Sequence, residues 1–243
     1  MWRLALAALG VSYLLLAVDA PGQKEKLQQT KTERMDFTSG GLLRLNDLAG
    51  VLTIEGWDQS GVEITTTKTT KEEYDSATRE KGVAELNQVR LAIERHGDEL
   101  VVTATIPRHG HFKPPLPGGT RVDLVSHVYV PHSARLAVDH GSGNLYIEDV
   151  AGGIEAAIGQ GTILLRLPGQ GQYAIDAKSK WGSVTSDFSG QERKAWWQVG
   201  HQFVGHPEGS AQKLRLRAGY GDIIVLKERV PNGPEALKSA SGR

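Results

Sequence analysis

The chain contains no cysteine. It can form no disulfide, it carries no thiolate for nucleophilic or soft-metal chemistry, and it lacks the acceptor for a bacterial lipid anchor. Stability must therefore come from packing. Aromatic residues are scarce, at 6%, so a core has to be filled by Leu, Ile and Val. Net charge is missing too, with 28 Lys+Arg against 28 Asp+Glu. That balance excludes the basic footprint of a nucleic-acid binder and the acidic bias of a disordered solubiliser. Catalytic signatures are absent as well: there is no G-x-S-x-G elbow, no H-E-x-x-H and no phosphate-cradling Gly-rich loop. Beyond the N-terminus no apolar run reaches membrane length, so a C-terminal anchor is not expected.

The N-terminus has the layout of a secretory signal peptide. Arg3 supplies a positive charge, Leu4 to Val18 is apolar apart from Gly10, Ser12 and Tyr13, and Val18-Asp19-Ala20 offers small or permissive residues for cleavage. The apolar run is short for a membrane span, which needs about twenty residues. Pro21 would follow the cut and disfavours it, which leaves a cleaved form and an uncleaved N-terminal signal anchor both open. An exported protein is expected, whether periplasmic, cell-surface or secreted.

Glycine is abundant, 29 residues in 243. Residues 1–20 are read as the signal, 21–34 as a polar linker, 35–229 as one β domain and 230–243 as a disordered tail. Leu43/Leu45, Leu52/Ile54 and Val62/Ile64 are apolar pairs at period two, the spacing that puts both side chains on one strand face. Lys71 to Gln88 has helical spacing, with Tyr74, Ala77, Lys81 and Glu85 on one side and Gly82 weakening the middle. Val89–Ile93 and Leu100–Ile106 read as a hairpin around Gly97-Asp98. Pro107 to Gly119 holds four of the ten prolines and must be a loop.

Between His140 and Leu167 the glycines Gly143, Gly152 and Gly161 recur every nine residues, each followed by apolar residues near period two. Nine residues hold a strand of about five and a turn of about four. Two units give a coil of eighteen, the length from Gly143 to Gly161. Similar units start at Gly50, Gly182 and Gly221. The spacing predicts an all-β fold: a β-solenoid or β-helix-like stack of short strands with Gly at the corners, and one helix inserted near 71–88. Leu145/Ile147, Ile154/Ala156, Ile163/Leu165 and Val184 are the expected interior. A β-sandwich of evenly spaced hairpins is the competing architecture. A calcium-binding nonapeptide array is excluded because its aspartates are missing.

The stretch with Asn46, Gly50, Leu52, Ile54, Gly56, Trp57, Asp58, Val62 and Ile64, followed by Ser142-Gly143-Asn144-Leu145-Tyr146-Ile147, resembles the bacterial putative-adhesin domain family of unknown function. GGIEA, GTILL and GSVTS depart from the family unit and keep only the glycine and the alternation. The resemblance spans roughly residues 35 to 227. It implies an exported β-solenoid of the cell envelope, related to adhesion or envelope stress, and no established activity or catalytic residue set.

Candidate sites are few. His109 and His111 form His-x-His, with His127, His132 and His140 close in sequence, but nothing completes a zinc or copper ligand set. No metal or cofactor is expected. Trp57 is read as capping the apolar stack and Asp58 as a turn former. Of Trp196 and Trp197, adjacent on a strand, one must face outward and could touch a glycan or a protein. Asp176, Lys178 and Lys180 alternate as on the solvent side of a strand. The expected contact surface is the outward set Thr53, Glu55, Tyr146, Glu148 and Thr185, together with Trp196 and Trp197. The reading is a non-enzymatic binding protein whose partner is an envelope protein or a glycan. The alternative is a carbohydrate-active enzyme on the same scaffold, which would need a groove of clustered carboxylates.

Overall fold

The computed structural model describes residues 23–107, 120–169, 171–194, 200–205 and 212–228. The expected signal peptide, His109 and His111, Trp196 and Trp197, and the C-terminal tail lie outside the described residues. None of the described helices is long and apolar enough to cross a membrane.

The chain order is β1 (Glu25–Met35), β2 (Leu42–Trp57), β3 (Val62–Tyr74), α1 (Arg79–Gln88), β4 (Arg90–His96), β5 (Glu99–Thr105), β6 (Val122–Pro131), β7 (Arg135–Glu148) and β8 (Ile154–Leu167). It continues with β9 (Tyr173–Trp181), β10 (Val184–Ser186), β11 (Gln191–Lys194), β12 (His201–Gly205), β13 (Gln212–Tyr220) and β14 (Ile223–Lys227). All fourteen strands join one open sheet. Three of them, β2, β7 and β8, are long and carry two arms on either side of a bend. On the first arm the order runs β4-β5-β2-β7-β8-β13-β9-β12-β11; on the second it runs β1-β3-β6-β2-β7-β8-β14-β10.

The bend explains the glycines. Gly50 pairs with Gly143, and Gly143 with Gly161, eighteen residues on. Gly221 and Gly182 extend the column, because a Cβ on Gly221 would meet the Gly161 carbonyl and one on Gly182 the Gly221 carbonyl. All five have positive φ, from +85° at Gly50 to +153° at Gly182. At Gly161 (φ +129°) a Cβ would collide with the carbonyl oxygen of Gly143. Both the backbone conformation and the close approach therefore demand glycine. Gly152 is different. It lies in the turn between β7 and β8, and it is held by close approach to Ala134 without a positive φ.

The period-two pairs fill one continuous core. Leu43, Leu45, Ile54, Leu145, Ile147, Ile163 and Leu165 are completely buried, and Val184 is nearly so. In-register pairing places Leu52 beside Leu145, Leu145 beside Ile163, and Ile163 beside Ile223. The hairpin β4–β5 forms as expected, turning at Gly97.

Four expectations change. Gly161 does not separate two strands with a turn; it bends one continuous fourteen-residue strand. The stack does not follow chain order, because β13 and β14 lie between β8 and β9/β10. The observed form is thus an open, mixed sheet, and its winding is not that of a solenoid whose coils stack in sequence. The polar stretch expected as linker is strand β1, paired antiparallel to β3, with Thr30 and Thr32 hydroxyls bonded to those of Thr67 (3.0 Å) and Thr65 (2.9 Å). The helix begins at Arg79, because β3 continues through Tyr74 and the Thr78 amide and hydroxyl turn back onto the Asp75 carboxylate. Gly82 lets α1 pack close to the side chains of Leu27 and Tyr74, each of which a Cβ there would meet at 2.7 Å. The helix is fixed by Glu85, which accepts from the Tyr74 hydroxyl (2.7 Å) and pairs with Arg121 (2.9 Å). Burial pushes the Glu85 carboxyl up, and these two donors outweigh it and hold its pKa below the usual range. Burial and the facing carboxylate push the Tyr74 phenol to about 12.

His140 is completely buried at the bend, its Nε2–H donating to the Gly50 carbonyl at 3.1 Å while Nδ1 has no partner among the described residues. Burial lowers its pKa below 6.5, outweighing the Gly50 bond and nearby Asp139.

Two predictions follow from the bend. Gly161→Ala should lose about 3 kcal/mol or more in urea unfolding, whereas Gly97→Ala should lose only about 1 kcal/mol, because a Cβ at Gly97 meets nothing. Equal losses would refute the column. The unfolded chain protonates His140 at its ordinary value while the folded imidazole resists, so the unfolded state holds more protons in that window. Stability should fall as pH drops from about 7 to 5 and this contribution should level off below the folded pKa. His140→Gln should flatten that slope in thermal melts; an unchanged slope would exclude His140 as its origin. Glu85, Asp176 and Asp222, with lowered pKa values, act at more acidic pH. Their stabilisation is present above the unfolded carboxylate range and is lost only as pH falls through their folded values.

Candidate binding surface

Inward residues alternate with outward ones along each second arm, and the fixed register lines the outward residues into rows. One row reads Thr65, His127, Thr53, Tyr146, Leu164, Ile224 and Thr185 from β3 across to β10. The neighbouring row reads Glu63, Tyr129, Glu55, Glu148, Arg166 and Leu226. The expected residues Thr53, Glu55, Tyr146, Glu148 and Thr185 thus share one face of one sheet.

The register sets like charges side by side, since Glu55 pairs with Glu148. Each is answered from the other side. His127 Nε2 lies 3.2 Å from the Glu55 carboxylate, and Arg166 lies 3.2 Å from Glu148. At the edge, Arg34 pairs with Glu63. Carboxylates directly opposite would otherwise destabilise the pairing.

Aromatic rings cover the adjoining part of the face. His127 stacks on Tyr129 at 4.4 Å between ring centroids, and Tyr129 stacks on Trp57 at 5.2 Å. Trp57 also donates from Nε1 to the Gly61 carbonyl at 3.2 Å. It does not cap the apolar stack as expected. The alternation Ile54-in, Glu55-out, Gly56-in puts Trp57 on the outward side.

The histidines near in sequence are not brought together. His127 faces outward, His132 Nδ1 donates to the Asp149 carbonyl at 2.7 Å with Nε2 3.3 Å from Asp58, and His140 is in the core. Among the described residues no three His, Asp or Glu side chains could hold a metal ion. Asp176 accepts from Arg217 and from Gln202 (3.2 Å) on the outward side of β9, where Lys178 and Lys180 are exposed.

One surface feature was not expected. Trp181 and Tyr220 pair in register and stack at 6.0 Å with only 5° between ring planes. They are exposed by 43% and 56%, unusual for such large rings. The missed signal is G-x-G. Gly141, Gly159 and Gly219 form a second close-packed column two residues ahead of Gly143, Gly161 and Gly221. The intervening Ser142, Gln160 and Tyr220, with Trp181 beyond, make a ridge along the outside of the bend.

No family model matches the chain, and no curated protein matches it. Among solved structures it is similar to a putative cell adhesion protein from Clostridium sporogenes, at 14% identity and a TM-score of 0.45, over 82% of this chain and 100% of that one. It is also similar to a putative adhesin from Bacteroides fragilis, at 8% identity and a TM-score of 0.25, over 86% of this chain and 100% of that one. A putative adhesin from Parabacteroides merdae is similar at 9% identity and a TM-score of 0.20, over 82% and 96%. At these scores the likenesses carry no argument about what the chain binds.

Proposed function

We propose that this chain is an exported, non-catalytic protein of the bacterial cell envelope that presents the outward face of its second arms to another protein or a glycan. The single observation behind this reading is the arrangement of that face. Rigid, in-register strands hold the Trp57–Tyr129–His127 stack beside the Glu55/Glu148 pair. Aromatic faces suit apolar ring faces and carboxylates accept from hydroxyls, so flat polar polymers are natural partners. The N-terminal signal-like segment supports export, and the motif resemblance supports an adhesin-type role. Solenoid character belongs here too: the eighteen-residue offset between β7 and β8 is that of a coil, and we read β13 and β14 as a coil inserted late in the chain.

Reversing both charges, with Glu55→Lys and Glu148→Lys, tests the reading. Both carboxylates are partly exposed and their ion pairs are of the weakly stabilising kind, about 0–1 kcal/mol each. The reversal also sets two lysines beside Arg166, so stability should fall slightly, by about 1 kcal/mol, while capture of envelope proteins or immobilised glycans should fall about tenfold or more. Unchanged capture by the folded variant would remove this face as the contact surface.

A further inference from the structure

The inner side of the sheet is mostly aliphatic, with His140 and Ser179 as isolated buried polar residues, and it turns polar over several successive positions where β1 and β3 approach the edge. On β3 the inward positions after Val62 and Ile64 are Thr66, Lys68 and Thr70. Lys31 of β1 pairs with Thr66, Gln29 pairs with Lys68, and Ser126 of β6 lies on the other side of Thr66. Thr66 and Ser126 are 2% and 3% exposed, and among the described residues neither hydroxyl has a hydrogen-bond partner. Buried polar groups are nearly always satisfied, so orphaned hydroxyls side by side need a physical reason.

At Thr66 that reason is a cleft. A cavity of about 300 Å³ opens between the β1–β3 inner face, the end of α1 and the start of β4, lined by Thr66, Lys31, Lys68, Arg90, Val89 and Leu91 among others. Lys31 is paired with Glu33 at 2.7 Å. Lys68 donates to the carbonyls of Val89 (2.5 Å) and Leu86 (3.4 Å) at the C-terminal end of α1. Burial, and then Lys31, lower its pKa, opposed by Glu33. Among the described residues no carboxylate pairs with Arg90. Three cations thus meet a single carboxylate, and an ammonium already under repulsion gains from an added anion. A second groove of about 380 Å³, sharing Gln29 and Asn87 with the cleft, runs between β1 and α1 past Leu27, Val83 and Leu86. Val83 is 41% exposed toward solvent, an apolar helix residue with little cover.

We propose that the cleft binds a small amphiphile with an anionic head. Lys31, Lys68, Arg90 and the Thr66 hydroxyl hold the head, a carboxylate or a phosphate, and the tail lies along Leu27, Val83 and Leu86. Pockets for small ligands combine an apolar lining with a few convergent polar groups in this way. The site lies on the opposite side of the sheet from the proposed contact face, so the two succeed or fail separately.

Calorimetric titration of the whole chain with decanoate, decyl phosphate, decanol and inorganic phosphate tests the proposal. Saturable binding of decanoate or decyl phosphate with Kd below about 1 mM is expected, with decanol and inorganic phosphate at least about tenfold weaker. The tighter of the two anionic probes identifies the head. Arg90→Gln with Lys31→Gln should weaken that binding about tenfold or more, and Thr66→Val about fivefold. Thr66→Val is the discriminating variant, because it removes an orphaned buried hydroxyl at nearly constant volume and should leave melting unchanged or raised. If the cleft is only structural, with Lys31 guarding the edge strand and Lys68 capping the helix, neither anionic probe binds. That result overturns the proposal, as does decanol binding equally well, inorganic phosphate matching decyl phosphate, or affinity untouched by the substitutions. Glu55→Lys and Glu148→Lys should leave probe binding intact.

Discussion

The structure depends on how closely its backbones pass at the bend. From β7 and β8 to the β13–β14 and β9–β10 junctions, the chain changes direction at a glycine whose α-carbon lies against the carbonyl of the preceding glycine in the column, and Gly50 of β2 lies in the same way against the Leu124 carbonyl. No side chain fits there, and the φ values exclude most other residues in any case. The contact is also a register lock. A slip of one residue would drive a Cβ into a carbonyl and turn every core residue outward. The eighteen-residue offset and the stacking of Leu145 on Ile163 both follow from this contact.

A locked register has consequences for the surface. Neighbouring strands lie about 4.8 Å apart, so residues at equal distance from the bend become neighbours. Glu55 is forced beside Glu148, and the His127 imidazole and the Arg166 guanidinium answer them from either side. The same geometry stacks Trp181 on Tyr220 although both stay about half exposed. Outward side chains on such a scaffold can change without disturbing the bend, which decouples the chemistry of the face from what holds the fold.

This separation also decides what could be read from the sequence. Apolar pairs at period two report burial directly, so Leu43/Leu45, Leu52/Ile54 and Ile163/Leu165 were legible, and with them the face carrying Glu55, Tyr146 and Glu148. The glycine spacing matches the eighteen-residue offset between β7 and β8, but its meaning was partly misread. Gly152 belongs to a turn and Gly161 to a bend, and only φ distinguishes them. The strand β1 was missed because one of its faces is polar and the inner one carries Gln29, Lys31 and Glu33. Its signal was the alternation of Thr30 and Thr32, which bond across to Thr67 and Thr65. The placement of β13 between β8 and β9 is a pairing between distant parts of the chain, and no local pattern encodes it.

The two ends of the sheet show how edges shape the remaining chemistry. A free strand edge invites pairing with another chain, and charges or a covering helix prevent it. At the far end, β11 is the short charged strand Gln191–Lys194. At the near end β1 is eleven residues long, and α1 covers it, anchored by Tyr74, Glu85 and Arg121. Lys68 ties the last turn of that helix to the inner face. Edge protection alone accounts for Lys31 and Lys68, since inward charges discourage pairing and a cation suits a helix C-terminus. It does not account for Thr66, which lies between Lys31 and Ser126 in register and lines the cleft. Valine there would have filled the same space without a buried hydroxyl that no described residue satisfies. A fold selected only to close its edge gains nothing from that hydroxyl, whereas a cleft that receives a hydrogen-bonding ligand does.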